Sequence, residues 1–277
     1  MSGSKCYPDP GPARDDAADD DPPEVLRAEE ITKNFAGINA LSRVSLRVFE
    51  GERVGLIGPN GAGKTTLFNC LLGTTTCDHG TVTVGGIDVS GRAAHERARL
   101  GIGRTFQRIE LFGGSTVRDH LLVAERVRRG SGRIWKDLVG RGRPSAEERA
   151  SCDEMLDLLG LGAFADEPIE HLSLGQGRLV EVGRALMTRP RVLLLDEPSS
   201  GLDRTETRDL AATLREVQAE QGFAILLVEH DVELVSSFTD RSYVLDFGTL
   251  IAEGATDDVL ADPVVRQAYL GIGAEQS

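Results

Sequence analysis

Gly58-Pro59-Asn60-Gly61-Ala62-Gly63-Lys64-Thr65-Thr66 is the stretch whose reading decides the fold. It fits the spacing G-x-x-x-x-G-K-[ST] and follows an apolar run of strand character, Arg53-Val54-Gly55-Leu56-Ile57. Glycines at 58, 61 and 63 let a backbone turn tightly and point its N–H groups inward, with no side chains in the way. The apolar Leu67, Phe68, Cys70, Leu71 and Leu72 predict a helix after the loop, whose positive N-terminal end faces the same anion. The pattern predicts a bound nucleoside triphosphate. Lys64 is expected to reach its β- and γ-phosphates and the Thr65 hydroxyl to ligate Mg²⁺, with Thr66 as the spare hydroxyl. The alternative is a Gly-rich turn with no ligand, and the strand before and helix after argue against it.

The composition suits a soluble α/β protein. In 277 residues, 40% are hydrophobic and 27% charged, enough for one large domain with appendages. No apolar run reaches the ~18 residues that cross a bilayer, and the N-terminus lacks the apolar core of a signal peptide, so the expectation is a cytoplasmic chain. Cys6, Cys70, Cys77 and Cys152 show neither C-x-x-C spacing nor a His-rich setting, which predicts reduced, structural thiols. A net charge of −13 argues against a nucleic-acid partner.

Residues 1–24 are rich in Asp, Pro and Ala and predict a disordered acidic tail, with order beginning near Val25. The β-rich segments VLRAEEITKNF, VSLRVFEGERVGLIG and TVTVGGIDV give way to helical patterns over Val117–Arg129 and Ala146–Leu159. Around and between these lies an Arg-rich insertion, about 126–144, holding Arg126, Arg128, Arg129, Arg133, Lys136, Arg141, Arg143 and Trp135. It reads as a solvated loop or as a surface for a partner or an anionic membrane. After Gly175 a further helix is expected, with Leu179, Val182, Leu186 and Met187 on one face. VLLLDEP and AILLVEH then alternate with helices, the rhythm of a parallel sheet.

Both apolar strands deliver chemistry at their carboxyl ends, where an α/β sheet presents its ligands. Asp196 is expected in the Mg²⁺ shell and Glu197 as the general base on an attacking water. His230, at the end of the second strand, would donate to the γ-phosphate or orient that water. Gln107 becomes a candidate for sensing Mg²⁺ and water once these motifs are in place. His79, His95, His120 and His171 read as surface residues.

Taken in order, these segments resemble the ATP-binding cassette ATPase family, over residues 25–273. The decisive piece is Leu172-Ser173-Leu174-Gly175-Gln176, which resembles the family's signature motif, with Leu174 where Gly is usual. The resemblance implies a phosphate-loop cassette with a mainly parallel core sheet, an antiparallel β subdomain and a helical subdomain over about 107–188. It implies that Ser173, Gly175 and Gln176 close over ATP held by a second ATPase subunit, a second copy or a related chain. It also implies that Phe35 stacks on adenine, that Ser200-Gly201-Leu202-Asp203 links the two sites, and that Gln107 lies at the family's glutamine loop. RTFQRIELFGGSTVRDHLLVA and DPVVRQAYLG are similar to the longer ATPase type of branched-chain amino-acid importers. The expected activity is Mg²⁺-dependent ATP hydrolysis coupled to transport. The expected partners are permease subunits at the inner membrane face and, indirectly, a solute-binding protein. Transporters for urea, lipid or lipopolysaccharide remain as alternatives, as do a soluble non-transport cassette and a nucleotide-binding regulator.

Removing residues 1–22 should leave the melting temperature and ATP hydrolysis nearly unchanged, because that segment has too few apolar groups to join a core.

Overall fold

The computed structural model describes residues 22–105, 113–129 and 144–270. Gln107, residues 1–21 of the expected acidic tail and residues 130–143 of the Arg-rich insertion lie outside the described residues, while Glu24, counted in the tail, belongs to the first strand. The chain opens on β1 (Glu24–Phe35), one residue ahead of the expected start, which pairs antiparallel with β2 (Ile38–Phe49). Strands β4 (His79–Val84) and β5 (Ile87–Asp88) complete a sheet ordered β2-β1-β4-β5. Its inward residues, among them Leu26, Ala28, Ile31, Val44, Leu46 and Val48, are fully covered.

The second sheet is ordered β10-β9-β3-β8-β7-β6. Here β3 (Arg53–Ile57), β6 (Ile102–Arg104), β7 (Val192–Asp196), β8 (Ala224–Val228) and β9 (Arg241–Asp246) run parallel, and β10 (Thr249–Ala255) closes the edge antiparallel. β8, and β7 as far as Leu195, are apolar because both faces are buried. Alternate residues of these strands feed different cores. Val192, Leu194, Ala224, Leu226 and Val228 pack toward the antiparallel sheet and α1 (Lys64–Leu72), whereas Leu193, Leu195, Ile225 and Leu227 pack toward the helices.

Between the strands run α2 (Ala94–Arg99), α3 (Val117–Arg128), α4 (Ala146–Leu158), α5 (Leu174–Leu186), α6 (Arg204–Gln221) and α7 (Val232–Phe238). The described residues end in α8 (Thr256–Ala261) and α9 (Pro263–Leu270). α3, α4 and α5 form the helical subdomain, with Thr116, Ser145 and Ser173 as N-caps, each in a reciprocal capping box. α5 ends at Leu186, ahead of Pro190, and is covered almost all round rather than on a single stripe. The Arg178–Glu181 ion pair lies inside it at 3.1 Å.

Two sequence readings change here. His120 is 1% exposed, not a surface residue, because α3 is sandwiched between α4 and α5 and its ring falls on the covered side with Leu121. Arg128 and Arg129 do not form a free basic surface. Both bind Glu125, itself 1% exposed, and hold its carboxyl below the usual range in spite of burial; Arg129 also meets Glu147, and Arg126 meets Glu148.

Arg97, 2% exposed, secures the far end of α1. Its guanidinium donates to the carbonyls of Cys70 (2.7 Å), Leu71 (2.8 Å), Ser90 (3.0 Å) and Arg92 (3.0 Å). These include carbonyls that a helix leaves without internal partners. Arg97→Met should therefore cost about 3 kcal/mol, read as a melting temperature roughly 6–12 °C lower.

Candidate nucleotide site

Three adjacent strands present the site. β3 lies between β9 and β8, and β8 lies beside β7, so the loops leaving β3, β7 and β8 meet at one carboxyl edge. The loop after β3 can follow its path only with glycine at two positions. A Cβ at Gly58, whose φ is 151°, would sit 2.1 Å from the Leu245 carbonyl oxygen, and one at Gly63, with φ 101°, would sit 2.7 Å from that of Ala40. Ala62 is buried beneath the loop, where its carbonyl accepts from the Gly248 N–H, while Pro59 is half-buried and Asn60 and Gly61 face solvent.

Lys64 opens α1, 7% exposed, and its ammonium donates to the carbonyls of Gly58 (2.6 Å) and Pro59 (3.1 Å). Burial lowers its pKa, and the facing carboxylates of Glu197 and Asp196 oppose that shift. Thr65 is exposed in the first turn and Thr66 half-buried. Asp196 ends β7. Burial, and next Glu197, raise its carboxyl above the usual range, with Glu229 adding to the rise and Arg104 and Lys64 opposing it.

Glu197 takes a left-handed backbone, φ 46°, at the sharp turn out of β7, an uncommon conformation for a residue with a side chain. Its N–H donates to the Val228 carbonyl at 2.9 Å, which ties this turn to the end of β8. His230 Nδ1 lies 3.8 Å from Glu197 Oε1 and 3.7 Å from Glu229 Oε2.

Glu229 is the site residue that the sequence reading missed. It is 0% exposed; Oε1 accepts from the Ser199 N–H (3.0 Å) and hydroxyl (2.6 Å), and Oε2 accepts from the His230 N–H (3.0 Å). One buried carboxylate thus joins the loop after β7 to the loop after β8. Strand parity held the signal: Ile225 and Leu227 point to one buried face, and Glu229 is the next residue of that phase.

The remaining predicted residues stand apart. Phe35 ends β1, 48% exposed, with the Lys33 ammonium 5.3 Å from its ring centre. Ser173 and Gln176 bond reciprocally at the start of α5: the Ser173 hydroxyl accepts from the Gln176 N–H at 3.2 Å, and Gln176 Oε1 accepts from the Ser173 N–H at 2.9 Å. Gly175 lies against Glu206, and Leu174 touches the Gly201 position, so this helix start abuts the Ser200–Asp203 loop. α1 packs on β1 and β2, whereas α5 packs on α3, α6 and β6. The two helix N-termini expected to face phosphates therefore belong to different cores.

Comparison with known proteins agrees with this geometry. Residues 41–200 match the family model for ABC transporters, and residues 249–275 match that of branched-chain amino acid ATP-binding cassette transporters. The high-affinity branched-chain amino acid transport ATP-binding protein BraF of Pseudomonas aeruginosa is 38% identical over 253 residues, 89% of this chain and 98% of that protein. LivG of Escherichia coli K12, of the same description, is 37% identical over 251 residues, with 89% and 98% covered. A solved ATP-binding cassette of an ABC transporter in its ADP conformation superposes with TM-score 0.80 at 34% identity, over 90% of this chain and 99% of that one. A phosphate loop, two carboxylates and a histidine on three neighbouring strand ends, joined to a helical subdomain that carries the signature sequence, make this chain a member of the ATP-binding cassette family, an ABC transporter ATPase.

Proposed function

We propose that this chain is the energy-coupling ATPase of a membrane importer for branched-chain or related amino acids, working at the cytoplasmic face. The observation that carries the solute class is the match of residues 249–275 to the branched-chain family model, together with the names of the full-length relatives. Among the described residues no helix is long and apolar enough to cross a membrane, so the channel would come from separate permease subunits. A groove of about 270 Å³ between β6, α3 and α5, lined by Ile102, Thr105, Val127 and Ala185 with Val123 45% exposed, suits an inserted permease helix.

In this reading Lys64 exchanges its loop carbonyls for the β- and γ-phosphates, and Phe35 stacks on adenine. Mg²⁺ fits the donor set, because Asp196 and Glu197 both face the Lys64 ammonium, and the negative charge of Glu197 and Glu229 around Asp196 outweighs the opposing Arg104 and Lys64. When bound it would be held by Thr65 and Asp196, and would supply charge neutralisation for the phosphates. Glu197 takes the proton of the attacking water. His230, which lies beside Glu197 and Glu229, would donate to the γ-phosphate or orient the water. Ser173, Gly175 and Gln176 of a second ATPase subunit would close over the nucleotide. The separation of α1 and α5 into different cores supports that arrangement. Gln107 is proposed as the link between the Mg²⁺ and water site and the permease.

Glu197→Gln should abolish hydrolysis while leaving ATP affinity intact, and ATP should then trap a dimer visible by size-exclusion chromatography. Cells lacking the protein should lose uptake of leucine, isoleucine and valine; normal uptake of these with loss of another solute would overturn the amino-acid assignment. Asp196→Asn tests the metal role. A carboxyl whose pKa is raised by folding costs stability when ionised, and the cost vanishes as pH falls through the raised value. At neutral pH the asparagine variant should therefore melt a few degrees higher without ligand, yet lose the stabilisation that MgATP confers.

A further inference from the structure

The aromatic ring at the end of β1 does not stand by itself. The Lys33 ammonium lies over it, 5.3 Å from its centre, and donates to Asp78 Oδ1 at 2.8 Å. The Lys33 side chain is 14% exposed and Phe35 is 48% exposed, so the cation is held under cover while the ring keeps an accessible side.

Asp78 grips the three residues that precede Phe35. Its N–H donates to the Thr32 carbonyl at 2.9 Å, its Oδ1 accepts from Lys33, and its Oδ2 accepts from the Asn34 N–H at 2.7 Å. The Lys33 bond, and next that of Asn34, hold its carboxyl below the usual carboxylate range, so it stays ionised opposite the ammonium. Asp78 closes the loop that leaves α1 at Gly73, just ahead of β4. The segment that runs out of the phosphate-loop helix therefore fastens the strand end that carries the aromatic.

We propose that Lys33 and Asp78 are positioning residues for the nucleotide base: Asp78 holds the Lys33 ammonium over one face of Phe35, which fixes the ring and presents its opposite face to adenine. This rests on the reading that Phe35 stacks on the base. An exposed ring loses side-chain freedom when a base stacks on it, and a ring already held by a cation has less to lose. The ammonium also draws ring electron density toward itself, which makes the free face less negative and a better partner for a π-rich purine. A lysine without an anchor would extend its strongly hydrated ammonium into water. A partly exposed ion pair contributes little stability, and the use of this one lies in where it puts the charge.

Titration calorimetry of the full chain with two probes, ADP and inorganic pyrophosphate, each with Mg²⁺, separates base from phosphate. Lys33→Met keeps the apolar stem and removes the charge; it should raise the ADP dissociation constant about fivefold and leave that of pyrophosphate unchanged. Asp78→Asn should shift ADP in the same direction. Lys33→Arg, which keeps a cation for both partners, should bind ADP like the unaltered chain. Phe35→Ala should weaken ADP more than Lys33→Met does. If Phe35→Ala weakens ADP and Lys33→Met does not, the positioning role is overturned while base stacking stands. If Phe35→Ala binds ADP normally, the stacking reading falls and the proposal with it. Equal weakening of ADP and pyrophosphate by Lys33→Met would show a general distortion of the site and would also overturn the proposal.

Discussion

The side-by-side packing of β3, β8 and β7 is the constraint on which the site depends. Leu227 of β8 pairs with Gly55 of β3 on one side and Leu195 of β7 on the other, so the three strands end at the same edge. Parallel pairing makes every loop that leaves that edge point the same way. The phosphate loop, the Asp196–Glu197 turn and the Glu229–His230 turn converge for that reason alone, although 172 positions separate Gly58 from His230 in the 277-residue chain.

The same strands divide the interior. Alternate residues of β7 and β8 face two separate cores, one beneath the antiparallel sheet and α1, the other beneath the helical subdomain. Each core holds one of the helix N-termini that the sequence predicts to face phosphate, with α1 in the first and α5 in the second. In the function proposed above, a chain built this way has half of a closed site at each of two places, and two ATPase subunits would complete each other. The Arg178 guanidinium links the second half to the loop after β7, donating to the Ser200 carbonyl at 3.4 Å.

Glu229 shows how a catalytic edge is held rigid. A buried carboxylate is costly unless its oxygens are satisfied, and here donors from both neighbouring loops satisfy it. The strained backbone of Glu197 is supported in the same way, by its bond to Val228.

The sequence by itself determined what local chemistry dictates. The glycines and Lys64 of the phosphate loop, the apolar runs leading to Asp196-Glu197 and to His230, and the start of α5 at Ser173 are read within a dozen neighbouring residues. Backbone conformation and strand-end position are set at that range. Only the tertiary structure decided which charges are buried and what they hold. Glu229, Arg97, His120 and the Arg178–Glu181 pair look like surface residues in a linear reading, and each is covered by elements distant in the chain. Burial is a property of what packs against a residue, and a window of sequence does not contain its packing partners.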